Sequence, residues 1–270
     1  MRIVDCHVHL TGEAAVADVL KALDGNGVAR ILVISEQERS SIRVTRDKLL
    51  RAKKLFDAAP DRLSGLAWID PSLPGAAELA AEALESLGFA GIKIIPDHWY
   101  AYEPRLEPFW ERMNSLRAHI LFHTGILYGN DDSSRFCQPM YLEKLVHYPH
   151  IRFAMAHISW PWCEECLAVM GRMRAAAGYQ KEGWQSYVDM TPGTPKHIRK
   201  QAVANAIAFC GVERLMYGTD SCLPGNLSYQ KEILTNDLKL FGELGLSAAQ
   251  QERILSGTAE EVFPATRAKG

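Results

Sequence analysis

Five residues of types that bind divalent metal ions stand at the ends of short apolar runs rich in β-branched residues. They are His7, His9, His123, His157 and Asp220. Imidazole and carboxylate groups at the ends of buried strands need hydrogen-bond partners or an ion, because burying them unpaired is costly. Three neutral imidazoles and one carboxylate suit zinc and leave an open position for water, whose pKa the ion lowers to about 7. Manganese, iron or cobalt fit the same ligand types.

The spacing of the first two histidines predicts that they act together. Residues two apart in a strand face the same side, so His7 and His9 share the inner face if Cys6 and Val8 point outward. Two imidazoles on one face make half of a metal site. By the same alternation Asp5 lies one layer deeper, where it either bonds an imidazole N–H or hydrogen-bonds within the core.

These residues must be positioned by a repeating arrangement of strands and helices. Apolar runs alternate with helical patterns, and each pair spans about 34 residues of the 270, close to the unit of a (β/α)8 TIM barrel of roughly 250 residues. One domain over 1–270 is predicted, with a helix at 140–146 and a terminal helix pair at 247–263 packed on the outside. The eight predicted strands are 3–9, 31–35, 64–70, 91–95, 119–124, 152–157, 186–191 and 214–220. In such a barrel the chemistry gathers at the carboxyl ends of the strands.

Composition excludes several other classes of protein. Hydrophobic residues make up 47%, and 30 Lys and Arg stand against 32 Asp and Glu, which disfavours disorder and gives no charge pattern for nucleic acid or an anionic membrane. No apolar stretch reaches membrane-spanning length, and no leader peptide is recognisable, so a cytoplasmic enzyme is expected. The six irregularly spaced cysteines, including the Cys163 and Cys166 pair, indicate reduced thiols.

Six short motifs resemble the amidohydrolase superfamily, and within it the amidohydrolase-related metal-dependent hydrolases and decarboxylases. They occur in the family's order along almost the whole chain. Two positions depart from the pattern, since Ile95 stands where many relatives carry histidine and Thr258 replaces a common asparagine. The motifs are Asp5-Cys-His-Val-His9, Gly91-Ile-Lys93, Leu121-Phe-His-Thr-Gly125, Met155-Ala-His157, Tyr217-Gly-Thr-Asp-Ser221 and Ile254-Leu-Ser-Gly-Thr-Ala259.

The resemblance implies a role for each residue of the centre. It implies that four residues hold one divalent ion, and that His157 is the catalytic histidine beside a metal-bound water. Asp220 could also take the proton of that water as it attacks. The four implied ligands are His7, His9, His123 and Asp220.

Three further residues are predicted to contact the substrate. In binuclear relatives a strand-four lysine is carboxylated and bridges two ions, but the Gly91-Ile-Lys93 context fits the mononuclear branch, so Lys93 is expected to hold a substrate anion or a structural charge. His98 follows strand four on the catalytic face. Trp160 offers either an aromatic wall for a planar substrate or packing for the following loop.

The predicted function is hydrolysis of an ester, lactone or amide bond in a small organic substrate. The alternative is nonoxidative decarboxylation of a small aromatic or unsaturated carboxylic acid, which differs in the group that Lys93, His98 or Arg135 would hold. A barrel that binds metal without turnover would be marked by a lost ligand, and none is lost. Apart from the small molecule no partner is predicted, although such barrels often associate into homo-oligomers.

Overall fold

The sheet of this protein is parallel throughout, and it contains all eight predicted strands. A computed structural model describes residues 1–129, 132–180 and 183–264. Within them each strand pairs with its neighbour along the chain, from β1 to β8, and β9 pairs with β1. The strands are β1 Val4–Leu10, β2 Arg30–Ile34, β3 Leu63–Trp68, β4 Gly91–Ile94, β5 His119–Phe122, β6 Arg152–Met155, β7 Ser186–Asp189, β8 Leu215–Met216 and β9 Ser221–Leu223.

The barrel closes where β1 meets an eighth strand that is broken in two. β8 pairs with β7, whereas β9 pairs with β1. Across the break, the Cys6 N–H donates to the Tyr217 carbonyl at 3.1 Å and the Asp220 N–H donates to the His7 carbonyl at 2.9 Å. Asp220 has a φ of 59°, which bends the chain between the two halves. The predicted TIM barrel is confirmed.

An α-helix lies in each connection between successive strands from β1 to β8, except the one between β5 and β6. The predicted helix at 140–146 is wrong, because β5 and β6 are joined by 3-10 segments at Ser133–Cys137 and Pro139–His147. A run this short gains little cooperative stabilisation from α-helical hydrogen bonds, so tighter turns compete. The helices are α1 Val16–Asn26, α2 Ile42–Asp57, α3 Ala76–Glu85, α4 Glu107–Ser115, α5 Cys163–Gln180, α6 Lys196–Cys210, α7 Ser228–Glu243, α8 Ala248–Glu252 and α9 Thr258–Val262.

Strand β1 does not alternate regularly between the inner and outer faces. Its pairing with β2 shifts register between Asp5 and Val8. Cys6 packs in the cluster that fills the lumen, and Val8 packs in the outer cluster between sheet and helices. The prediction that Cys6 points outward is therefore wrong, because an irregularity in the ladder changes which side successive residues face.

The C-terminal segment seals the lower end of the barrel. Ala259, Val262 and Phe263 are fully buried and belong to the same cluster as the lumen residues. A Cβ atom added at Gly91 would lie 2.9 Å from the Phe263 ring, so the ring occupies the space left by the missing side chain. The predicted packing of this segment on the outside is wrong, because its apolar face fills the lumen floor.

Two further features of the chain can be stated directly. Among residues 1–129, 132–180 and 183–264, no helix has the length and apolar character that crossing a membrane requires. All six cysteines are free thiols.

Replacing Phe263 tests the contribution of the lumen floor. We expect Phe263→Ala to lower the free energy of unfolding by about 3–5 kcal/mol, because it removes a buried aromatic ring and leaves a cavity. Denaturant titration followed by circular dichroism measures the change. The matched control is Phe209→Ala, because Phe209 is 39% exposed and should cost about 1 kcal/mol or less. Equal losses in the two variants would contradict the sealing role.

Candidate metal centre

Three of the predicted ligands converge at the carboxyl ends of β1 and the broken eighth strand. The Nε2 atoms of His7 and His9 lie 3.1 Å apart. Asp220 Oδ1 lies 3.4 Å from His7 Nε2 and 3.1 Å from His9 Nε2. All three ligand atoms fall within 4.8 Å of one another. Two imidazole nitrogens and a carboxylate oxygen at these distances suit a divalent cation.

The proton on His7 is placed by a residue that the sequence reasoning missed. His7 Nδ1 lies 2.7 Å from Asp189 Oδ2, so Nδ1–H donates to the carboxylate and the Nε2 lone pair faces His9 and Asp220. Burial and the Lys93 ammonium lower the pKa of His7 to about 4. The imidazole is therefore neutral at pH 7, as a metal ligand must be. Asp189 ends β7, and this polar strand end was the available signal.

His123 and His157 form a second imidazole pair beside the first cluster. His157 Nδ1 donates to the Pro192 carbonyl at 2.7 Å, which leaves its Nε2 as an acceptor 3.2 Å from His123 Nδ1. With these partners His123 Nε2 carries a lone pair, and that atom is buried with no hydrogen-bond partner among the residues that the structure describes. Burial and neighbouring His157 hold the pKa of His123 well below its usual range. A buried, neutral and unpartnered imidazole nitrogen fits a metal ligand.

A strained turn after β6 aims the His157 ring. His157, Ile158 and Ser159 have φ values of 61°, 49° and 54°, a conformation that non-glycine residues adopt rarely. The turn is held by hydroxyl groups, since Thr124 Oγ1 donates to the Ala156 carbonyl and Ser159 Oγ donates to Thr124 Oγ1, both at 2.8 Å. Backbone strain of this kind persists where the surrounding structure enforces it and is common at active sites.

The loop after β7 holds the other side of the His157 ring. Besides the bond from Nδ1 to Pro192, Thr194 Oγ1 donates to the His157 carbonyl at 3.3 Å. A Cβ atom at Gly193 would lie 3.0 Å from His157 Cβ, so a larger residue at this position would displace the histidine. The segments that follow β6 and β7 therefore hold His157 together.

Asp5 ties the two halves of the closure together rather than partnering an imidazole. Its Oδ1 accepts the N–H groups of His7 at 3.1 Å and Thr219 at 3.0 Å. Its Oδ2 accepts Thr219 Oγ1–H at 2.5 Å and Gln230 Nε2–H at 2.8 Å. Gln230 belongs to α7, so Asp5 does not face the lumen as predicted, and core hydrogen bonding is the alternative that the structure shows. Burial raises the pKa of Asp5 to about 7.

Lys93 lies next to the cluster but does not line the cavity above it. Its side chain is fully buried and its Nζ lies 3.2 Å from His7 Nε2. Burial lowers the pKa of Lys93 to about 8, against the opposing effect of Asp220 and Asp189. Lys93 therefore remains largely charged at pH 7 and acts on the ligand atoms from within the lumen.

A small cavity opens over these side chains. Its volume is about 170 Å³, below the roughly 300–1,000 Å³ of sites for drug-sized ligands. Trp160 is one of its walls, as predicted, whereas Gln37 and the segment after β5 were not singled out from sequence. The lining residues are His9, Gln37, Ile95, His123, Ile126, Leu127, Tyr128, His157, Trp160, Pro192, Gly193 and Asp220.

Two candidate substrate contacts lie away from this cavity. His98 hydrogen-bonds Asp97 through Nδ1, and its Nε2 lies 3.1 Å from Ser72 Oγ. The carboxylates of Asp97 and Asp70 attract the imidazole toward the neighbouring loop, so His98 does not line this cavity, and its contact with substrate stays a prediction. Arg135 is largely exposed and pairs with Asp132 at 3.0 Å.

The sequence matches the family model for Amidohydrolase over residues 4–265. The chain belongs to this family and is an enzyme of the amidohydrolase superfamily. The predicted family is confirmed. No curated protein matches this sequence at a significant level.

Solved structures with the same fold carry different chemistry. The chain is similar to 5-carboxyvanillate decarboxylase from Novosphingobium aromaticivorans complexed with manganese (TM-score 0.70, 14% identity, 97% of this chain and 96% of that one). It is also similar to an amidohydrolase from Burkholderia multivorans with bound zinc (TM-score 0.68, 15% identity, 98% of this chain and 100% of that one). A third similar structure is a probable 2-pyrone-4,6-dicarboxylic acid hydrolase from Acinetobacter baumannii with citric acid bound (TM-score 0.64, 17% identity, 97% of this chain and 99% of that one). At these identities the likeness establishes the fold alone.

Removing His123 tests its assignment as a ligand. We expect His123→Ala to lose most of its bound metal while the barrel stays folded, because only three protein ligands remain and a water must replace the fourth. Elemental analysis gives the metal content and circular dichroism the fold. The control His147→Ala, on an exposed residue outside the cavity, should keep its metal. Full occupancy in His123→Ala would exclude His123 as a ligand.

Asp189 should support metal binding through His7. We expect Asp189→Asn to weaken metal affinity by about 10–100-fold, the usual effect of losing a carboxylate behind a ligating histidine. Competition with a chromophoric chelator measures the affinity. Thr191→Val is the matched control, because Thr191 Oγ1 lies 3.3 Å from the same His7 Nδ1 but carries no charge. An equal effect in both variants would contradict a specific role for the Asp189 carboxylate.

Proposed function

We propose that this enzyme hydrolyses an ester, lactone or amide bond in a small organic substrate, with a divalent ion held by His7, His9, His123 and Asp220. The observation that carries the proposal is the buried, unpartnered Nε2 of His123 beside the cluster of His7, His9 and Asp220. These atoms gather at the strand ends where barrel enzymes carry out their chemistry.

The donor set determines which ion is proposed. Three imidazole nitrogens and one carboxylate oxygen favour zinc, and manganese, iron and cobalt accept the same ligands. Zinc in the Burkholderia multivorans protein and manganese in the Novosphingobium aromaticivorans enzyme support a divalent ion. When bound, the ion would polarise a carbonyl group and lower the pKa of a coordinated water.

Asp220 and His157 are the proposed acid–base groups. The neighbouring imidazoles of His7, His9 and His157 outweigh desolvation and hold the pKa of Asp220 well below its usual range, so its carboxylate is ionised at pH 7. In that form it would serve as the base for the attacking water. His157 lines the cavity and is oriented by its bond to Pro192. Its Nε2 is an acceptor in this structure, so it would polarise the water by accepting a hydrogen bond from it, and it could hold the substrate carbonyl oxygen only after taking up a proton.

Lys93 is proposed to stabilise negative charge that develops at the centre. The ammonium lies next to His7 Nε2 in a fully buried setting, where electrostatic interactions are stronger than in water. One ion per chain is expected, since an ammonium cannot bridge two cations. Two ions per chain, with a carboxylated lysine tip, would assign Lys93 to the bridging role instead.

Decarboxylation is the second candidate, and a specific observation favours it. Four of the residues around the cavity, Ile95, Ile126, Leu127 and Trp160, are apolar. An apolar setting makes the ground-state carboxylate less stable relative to the neutral carbon dioxide that leaves. The fold shared with 5-carboxyvanillate decarboxylase is compatible with this chemistry.

One isotope experiment separates the two reactions. Metal-loaded enzyme is incubated in water that carries both deuterium and 18O. Dihydrocoumarin, a lactone, is the test substrate for hydrolysis, and 2-hydroxybenzoate is the test substrate for decarboxylation. Hydrolysis adds one 18O to the product carboxylate, whereas decarboxylation releases carbon dioxide and places deuterium on the ring carbon. Mass spectrometry reads both labels. Deuterium on the ring of phenol, with no 18O in the acid formed from dihydrocoumarin, would show that the enzyme is a decarboxylase and not a hydrolase.

Replacing His157 tests its catalytic role. We expect His157→Asn to keep its metal and to lose turnover by about 100-fold or more, the usual scale for a positioned acid–base group. Turnover of the active substrate and elemental analysis are measured on the same preparation. If the variant loses metal instead, His157 is a ligand and the proposed division of roles is wrong.

A further inference from the structure

The cavity over the metal centre has an uneven distribution of charge. Among the described residues that line it, none is Lys or Arg. The polar lining groups are mainly the strand-end residues, and the apolar ones come mainly from the loops that follow the strands.

The charged end of the cavity is the metal centre itself. Asp189 and Asp220 carry one negative charge each, and the Lys93 ammonium one positive charge. With a divalent ion these groups leave a net positive charge, so this end attracts one anionic group. The remaining walls supply no opposite charge for a second one.

We propose that the enzyme acts on small ring compounds with a single carboxyl or carboxyl-derived group, and that it rejects a second carboxylate at the apolar walls. This inference rests on the proposed function, and it holds for hydrolysis and decarboxylation alike because a carboxylate is the product of one and the substrate of the other. Burying an unpaired carboxylate against Ile126, Leu127 and Trp160 is costly. The small cavity volume restricts the remainder to about one ring.

Two described cations, Lys48 and Arg39, contact Gln37 and could weaken this discrimination. Lys48 Nζ donates to the Gln37 carbonyl and lies 3.2 Å from Glu38 Oε2, and Arg39 approaches the Gln37 side chain. Arg39 Nη2 donates to Gln37 Oε1 at 3.3 Å, and its Nε pairs with Asp97. Gln37 lines the cavity and its side chain also contacts the guanidinium. A second carboxylate could reach Arg39 only by displacing the Gln37 side chain and competing with Asp97.

Calorimetric titration of the zinc-loaded protein with three probes tests the inference. The probes are benzoate, 3-nitrobenzoate and benzene-1,3-dicarboxylate. A nitro group has the shape of a carboxylate without its net charge, so the second and third probes differ in charge at nearly constant size. We expect 3-nitrobenzoate to bind about as tightly as benzoate, and the dicarboxylate to bind at least about tenfold more weakly, as expected for an unpaired buried charge.

A substitution in the apolar wall should reverse the preference. Leu127 is partly buried and packs against the lumen cluster. We expect Leu127→Arg to raise the affinity for the dicarboxylate relative to 3-nitrobenzoate by about tenfold, because a guanidinium pairs with the second carboxylate. Leu127→Gln is the matched control, since it adds polarity without charge and should leave the ratio unchanged.

The outcomes separate this inference from the proposed reaction. Equal binding of the dicarboxylate and 3-nitrobenzoate by the unmutated protein would overturn the inference, and loss of that dicarboxylate binding in Arg39→Ala would identify Arg39 as the group responsible. Absence of binding by all three acids would overturn it as well. Neither result bears on whether the isotope experiment finds hydrolysis, which is decided independently by the 18O label.

Discussion

The metal centre depends on how the barrel closes between β1 and the broken eighth strand. At this junction Asp5 binds the N–H groups of both His7 and Thr219. His7 is a proposed metal ligand, and Thr219 precedes the second proposed ligand, Asp220. One carboxylate therefore fixes the separation of two donor groups that lie far apart in the chain. The register shift in β1 makes this possible, because it allows Asp5 to face α7 while His7 faces the lumen.

The charged groups around the centre are stabilised by contacts with one another and not by water. Lys93, His7 and Asp189 are all buried, and each contacts at least one of the others. Burial alone would raise the pKa of the Asp189 carboxyl group. The hydrogen bond from His7, together with nearby His157, instead keeps that pKa below its usual value. The imidazole is kept neutral by burial and by the Lys93 ammonium. The same few contacts therefore set the protonation state of the ligand and the orientation of its free lone pair.

Much of the barrel and the ligand cluster could be predicted from the sequence, because strand ends and the His7 and His9 spacing are local patterns. The role of Asp189 could not, since its partner is 182 positions away. The outward direction of Asp5 depends on a register shift that a regular alternation of faces cannot reveal. The direction of His98 could not be predicted for a similar reason. The turn after β4 directs its ring toward the carboxylates of Asp70 and Asp97, and loop direction has no periodic signature.

The last fifth of the chain completes both ends of the barrel. Asp220 finishes the ligand cluster at the upper end, and Phe263 closes the lumen at the lower end, so a growing chain that ends before these residues has the first seven strands but neither a cation site nor a sealed floor. Contacts of such long sequence separation form late, because the intervening loop must be ordered first. Until that point β1 lacks its pairing with β9, so the proposed cation site forms only in a chain that extends past the eighth strand.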